Sequence, residues 1–198
     1  MNIEQDKNIP EEIKYQFKII LVGDGGVGKT CLANRFCFNS FKVNTRLTIG
    51  LAFNTYSVIA KENGNMVRIG VAIWDFGGQK RFRSLIPQFI AGSHAAILVY
   101  DCTSFSSLIN LDREWNDILK HNSGELPRIL VGAKCDLTDT STIYEKNAEK
   151  EYINKLKAKQ HILTSAKTGT NVDKVFVEVL REVVKEMKPE LEIVSIVK

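Results

Sequence analysis

Phe17-Lys18-Ile19-Ile20-Leu21-Val22-Gly23-Asp24-Gly25-Gly26-Val27-Gly28-Lys29-Thr30 sets an apolar run, a glycine-rich loop and the start of an amphipathic stretch end to end. Phe17–Val22 reads as a buried β-strand, and Lys29–Phe38 as a helix with Leu32 and Phe36 on one face. The loop between them matches GxxxxGK[ST] in full, and a strand–loop–helix setting is what gives that pattern its chemistry. Its glycines let successive backbone N–H groups turn inward around a phosphate, and the helix N-terminus adds partial positive charge. Asp24, Gly25, Gly26, Val27, Gly28, Lys29, Thr30 and the adjoining Cys31 are therefore candidate nucleotide-binding residues. Lys29 is expected to reach the β and γ phosphates, and the Thr30 hydroxyl to ligate Mg²⁺.

Such a loop needs a carboxylate at the end of a neighbouring strand to hold the metal shell. The strand-like run Val67–Trp74 ends in Asp75-Phe76-Gly77-Gly78-Gln79, with Asp75 lying 45 residues after Thr30. A lone aspartate after a strand is more often a cap or turn residue, but DxxGQ at this distance from the loop is far more specific. Asp75 is thus a candidate metal-shell residue, Gly78 a backbone N–H donor to the γ phosphate, and Gln79 the residue that orients the attacking water.

Outward from these motifs, short apolar runs alternate with amphipathic stretches, the pattern of parallel strands wrapped by helices. Leu51–Ala60 and Met66–Trp74, joined across Glu62-Asn63-Gly64-Asn65, read as an antiparallel hairpin. Ala95–Tyr100, Arg128–Gly132 and His161–Thr164 complete six strands. Helices are expected through Leu108–Leu119, around Tyr144–Leu156 and behind a Thr170-x-x-Asp173 capping box, where Val172 to Met187 form one apolar stripe. The fold class is α/β: a six-stranded, mostly parallel sheet with one antiparallel edge hairpin and about five helices. A length of 198 residues fits one domain, taken as residues 17–187 between tails at 1–16 and 188–198. The net charge is only +4 and basic residues are scattered, so nucleic acid is not implied. The longest apolar run, Ala95–Tyr100, is far short of a membrane span, and the N-terminus lacks a signal-peptide pattern. Cys31, Cys37, Cys102 and Cys135 stand apart without CxxC spacing, which argues against disulfides or zinc and for a reducing, cytoplasmic setting. His94, His121 and His161 read as ordinary surface or core residues, and Trp74 as a packing residue at a strand end.

With these motifs in order, the chain resembles a small GTPase of the Ras superfamily over about residues 17–187. The resemblance places Phe41, eleven residues after Thr30, as the guanine-stacking aromatic. It places Thr48, eighteen after Thr30, as the switch threonine on Mg²⁺. Residues 41–50 and 75–90 then form two switches that bind effectors, exchange factors and activating proteins. Val131-Gly132-Ala133-Lys134-Cys135-Asp136 stands for NKxD and Thr164-Ser165-Ala166-Lys167 for SAK. Asp136 would accept from the guanine ring N–H and amine, Lys134 would pack along the base, and the Ala166 N–H would meet its carbonyl, with Ser165 and Lys167 completing the loop. The implied cofactors are GTP or GDP with Mg²⁺, and the implied activity is slow hydrolysis of GTP as a molecular switch. Thr48–Phe53, Lys80–Arg83 and Gln88–Ser93 resemble the Rab branch, which points toward vesicle-trafficking-like signalling.

Three departures stand out. Ala133 replaces the asparagine of NKxD, which puts the hold on the nucleotide in doubt. Phe76-Gly77 replaces Thr-Ala, so WDFGGQ is closer to Arf-like and Roc-type second switches, and the added glycine implies a looser switch. No cysteine follows Cys135 and position 2 is Asn2, so prenylation and N-myristoylation are not expected. The expectation is a monomer with no intrinsic membrane anchor, cytoplasmic and reaching membranes only through partners. The alternative is a guanine-nucleotide-binding interaction module with little or no turnover. A P-loop ATPase or kinase is disfavoured by Asp136 and by the register of Phe41 and Thr48.

Overall fold

The computed structural model describes residues 9–43, 47–78, 86–138 and 150–197. Its sheet has the strand order β6-β5-β4-β1-β3-β2-β7. These strands are β1 (Ile13–Val22), β2 (Leu51–Glu62), β3 (Asn65–Phe76), β4 (Ala95–Asp101), β5 (Arg128–Ala133), β6 (Gln160–Leu163) and β7 (Leu191–Val197). β1 pairs in parallel with both β3 and β4, so the strand order reverses around β1 and a crevice opens at its carboxyl end. The glycine-rich loop leaves β1 at that point and enters α1 (Lys29–Phe38). Both faces of the central strands are covered, which is why they read as continuous apolar runs rather than alternating ones.

One face packs on α1 and α6 (Val172–Met187), where Phe36 stacks on Phe176 with ring centroids 4.0 Å apart. The other face packs on α2 (Ile86–Ile90) and on a helix that runs as α3 (Phe105–Asn110), a π turn (Leu111–Trp115) and α4 (Asn116–Asn122). Tyr152 and Leu156 from the helical stretch α5 (150–155) and its end also join that face. The hairpin forms across Asn63 and Gly64, whose φ angles of 50° and 85° are those a two-residue turn requires. Among the described residues, no helix is long and apolar enough to cross a membrane.

Four expectations are corrected. The sheet has seven strands, not six, because 191–197 of the supposed C-terminal tail pairs antiparallel with Ser57–Glu62 of β2. The β2–β3 hairpin is therefore covered over half of its outer edge. β1 begins at Ile13, so residues 13–16 are strand and not tail. The Thr170-x-x-Asp173 capping box does not form: Asn171, with φ 55°, is the N-cap of α6 without a side-chain cap bond. Instead the Thr168 and Thr170 hydroxyls bond each other at 2.7 Å, and the Asn171 amide donates to the Leu163 carbonyl.

Candidate functional site

A cleft of about 380 Å³ lies at the carboxyl ends of the strands, bounded by the glycine-rich loop, α1, and the loops after β3, β5 and β6. Of the residues singled out from sequence, Gly25, Gly26, Gly28, Lys29, Thr30 and Cys31 line it from the loop and α1. Phe41 and Thr48 line it from the following segment, Gly78 from the loop after β3, and Lys134, Asp136, Ala166 and Lys167 from the other half of the sheet. Residues far apart in sequence thus face one cavity. Gln79 lies outside the described residues, as do Lys80–Arg83 of the second switch.

Four expected residues do not line the cleft, and each has another position. Val27 is a core side chain, 3% exposed. Ser165 is buried, and its hydroxyl accepts from the Thr168 N–H at 3.1 Å, bracing the loop that carries Ala166 and Lys167. The Asp24 carboxylate turns away toward the α3 helix, accepting from the Asn110 amide at 2.6 Å and the Trp115 indole N–H at 3.1 Å. That orientation moves a negative charge off the inner wall of the loop, where it would oppose an anion. Asp75 is fully buried behind the cleft floor.

Thr30, Thr48 and Asp75 come together despite spanning 45 residues of chain. The hydroxyl oxygens of Thr30 and Thr48 lie 2.7 Å apart, and Thr30 donates to Asp75 Oδ2. Among the described residues, Asp75 Oδ1 is buried with no hydrogen-bond partner. Burial raises the Asp75 carboxyl above its ordinary pKa, against the opposing pull of the Thr30 hydrogen bond and the Lys29 charge. A buried carboxylate oxygen left without a partner beside two hydroxyls is a hard, oxygen-only donor set, which fits a small divalent cation such as Mg²⁺. Lys29, 5% exposed, bends its ammonium onto the loop, donating to the carbonyls of Gly23 and Asp24 at 2.8 Å each.

Two residues that hold this site escape a reading by motif. Asp101, at the end of β4, accepts from the Lys134 ammonium at 2.6 Å and from both the N–H and hydroxyl of Thr103. Burial alone would raise its carboxyl, but the bonds from Lys134 and Thr103 outweigh it and hold the pKa below the ordinary value. The local Asp-x-Thr signal was available in the sequence. Arg35 of α1 donates to the Lys167 carbonyl at 2.7 Å and to Asn39, tying the base-side loop to the helix that follows the phosphate loop.

Trp74 does pack at the strand end, between Phe53 and Phe89, with the Lys18 ammonium 4.1 Å from its ring centre. His94 and His161 are structural, as expected: His94 Nδ1 accepts from the Lys18 N–H, and the His161 ring bonds the Tyr100 hydroxyl. The glycine-rich loop, the loop after β3 and the loops after β5 and β6 thus meet at one cleft. The sequence model described as the Ras family matches residues 18–185, the whole span that builds this cleft, and the chain belongs to that family of small GTPases.

Proposed function

We propose that the protein binds GTP with Mg²⁺, hydrolyses it slowly to GDP and phosphate, and changes partners between the two states. What supports this reading most is the meeting of Thr30, Thr48 and the buried Asp75, whose Oδ1 has no partner among the described residues, at one end of a cleft whose other end carries Lys134 and Asp136. Thr30, Thr48 and Asp75 would hold the cation, which supplies positive charge for the phosphate oxygens. The Gly25, Gly26 and Gly28 backbone and Lys29 would cradle the phosphates, Gly78 would offer its N–H, and Gln79 would orient the water. Phe41, Lys134, Asp136, Ala166 and Lys167 would hold the base, with Ser165 bracing the loop behind them, and Asp136 would do so by accepting two hydrogen bonds that adenine cannot donate.

The partner surface in this reading comprises residues 41–50 and 75–90. In its described part, Val43 is 82% and Ile49 74% exposed, apolar surface that a partner would cover. The motif resemblances favour the Rab branch and a trafficking-like role, carried out by a cytoplasmic monomer brought to membranes by others. A second reading, favoured by the alanine at 133, is a module that holds guanine nucleotide with little turnover. The test is to release and chromatograph the nucleotide from purified protein, then follow phosphate production with GTP and ATP in unmodified protein and Gln79→Leu. GTP-specific turnover slowed at least about tenfold in the variant is expected if Gln79 orients the water. Turnover that is absent or unchanged by the substitution favours the second reading.

A further inference from the structure

Asn110 and Trp115 stand five residues apart on one helix, yet both donate to Asp24, the Asn110 amide to Oδ2 at 2.6 Å and the Trp115 indole N–H to Oδ1 at 3.1 Å. On a regular α-helix a separation of five turns two side chains about 140° apart. The π turn at Leu111–Trp115 removes that offset. Across it the Asn116 N–H bonds the Leu111 carbonyl, an i→i+5 closure that stacks residues five apart on one side of the helix. A rare departure from α-helical winding thus brings two neutral donors to one carboxylate of the phosphate loop.

Asp24 stands where its charge matters. The Lys29 ammonium donates to the Asp24 main-chain carbonyl at 2.8 Å, so the lysine read as the cation for the phosphates sits on the residue that carries the carboxylate. The main chain beside it is pressed on β4, where a Cβ on Gly23 would fall 2.1 Å from the Val99 carbonyl oxygen. Side-chain rotation is the freedom left to Asp24, and the two α3 donors take it up. Without them the carboxylate would turn toward Lys29 and the inward N–H groups of the loop, the same donors that a phosphate needs.

We propose that Asn110 and Trp115 are positioning residues for nucleotide binding, which through the π turn hold the Asp24 carboxylate outside the phosphate cradle and leave Lys29 to the phosphates. The inference rests on the reading of the glycine-rich loop as that cradle.

The test measures the affinity of a fluorescent non-hydrolysable GTP analogue for the unmodified full chain, the Asn110→Ala/Trp115→Phe pair, Asp24→Ala and the triple variant. The pair should lose about tenfold in affinity. In the Asp24→Ala background, where no carboxylate can be released, the same two substitutions should cost less than about twofold. Equal losses in both backgrounds would mean that the α3 residues act through packing alone, and would overturn the proposal, as would no loss in either. A second readout needs no nucleotide. The chain has two tryptophans, Trp74 and Trp115, so Trp74→Phe assigns the Trp115 indole N–H resonance. That resonance should move upfield and exchange faster with solvent in Asp24→Ala, and an unmoved resonance refutes the seat. Should Trp115→Phe fail to fold, Asn110→Ala, at a half-buried position, carries the same comparison with an expected loss of at least about threefold. Absence of any guanine-nucleotide binding by the unmodified protein would defeat the cradle reading and with it the role given to Lys29, whereas an unmoved resonance with binding intact would defeat this inference alone.

Discussion

The Lys134 ammonium lies 2.6 Å from Asp101 Oδ2, which couples the end of β4 to the lysine of the base-side loop. Lys134 has a φ of 62°, so its backbone is held in a left-handed turn while its side chain is pinned by a carboxylate on the adjacent strand. Neither constraint comes from a nucleotide. The side chain is thus arranged along the cleft before any base arrives, and less conformational entropy is lost when one binds.

Asp101→Asn should therefore weaken guanine-nucleotide binding without unfolding the domain. The amide keeps an acceptor for Thr103 but loses the ion pair, and a charge-assisted bond of this kind is worth about 1.5–3 kcal/mol, or roughly 10- to 100-fold in affinity. Fluorescent GDP titration, with a thermal melt as the control for folding, checks it. Affinity within twofold of the unmodified protein would show that Lys134 needs no tether.

Asp75 yields a prediction with a defined pH sign. Burial raises its pKa in the folded state above the ordinary 3.8. The native state then holds the proton more tightly than the unfolded chain, so this stabilisation is present below pH 3.8 and is lost as pH rises through the raised folded value. At neutral pH the buried carboxylate is a cost that a bound divalent cation offsets. Nucleotide-free Asp75→Asn should accordingly melt higher than the unmodified protein at pH 7 in EDTA, by about 2–4 °C for each kcal/mol recovered. Mg²⁺ should raise the melting point of the unmodified protein only. Calorimetric melts from pH 4 to 8, with and without Mg²⁺, decide this; a variant that melts lower in EDTA contradicts it.

How much of this was legible in the sequence follows the range over which each signal acts. The phosphate loop, α1, the Asn63-Gly64 hairpin and α6 rest on short-range periodicity and turn chemistry, and all four lie where the sequence places them. β7 falls within the expected C-terminal tail because its assignment depends on the outer edge of β2, some 130 residues earlier, which no local pattern reports. The capping box failed although its spacing was right, because the Thr168–Thr170 hydroxyl bond and the left-handed Asn171 shape that turn instead. The Asp24 side chain was read as part of the phosphate loop, whereas its partners, Asn110 and Trp115, stand on a helix that only the tertiary fold brings near.

β7 can be tested by its anchor. Leu191 is 6% exposed within the core cluster, and Ile193 and Ile196 pack against that cluster. Leu191→Ala removes a buried side chain and should cost about 2–3 kcal/mol, read as a lower urea midpoint at unchanged slope. GDP affinity should not change, because β7 pairs with Ser57–Glu62, the half of β2 away from Thr48 and the cleft. A midpoint equal to that of the unmodified protein would restore 188–198 to the status of a tail.

Ala133 closes β5 at the cleft, 5% exposed, with its Cβ 3.5 Å from where a Cβ on Gly28 would stand. An asparagine here would direct its amide at the phosphate loop and join the two halves of the cleft, as it does by resemblance in relatives with an intact NKxD. The methyl group cannot. The connections present run elsewhere: the Cys135 N–H bonds the Thr164 carbonyl at 3.0 Å, and Arg35 reaches Lys167 at 2.7 Å, tying the base-side loops to each other and to α1. Restoring one hydrogen bond of about 1–2 kcal/mol corresponds to roughly tenfold in affinity, expressed mostly as slower dissociation. Ala133→Asn should therefore slow GDP release by about that factor while leaving the preference for guanine over xanthine, attributed to Asp136, unchanged. Arg35→Met should speed release, and by less in the Ala133→Asn background, where the second tether shares the load. Stopped-flow release of a fluorescent GDP analogue from the four proteins measures both effects. Equal rates in unmodified protein and Ala133→Asn would mean that the Arg35 bridge alone already holds the cleft closed.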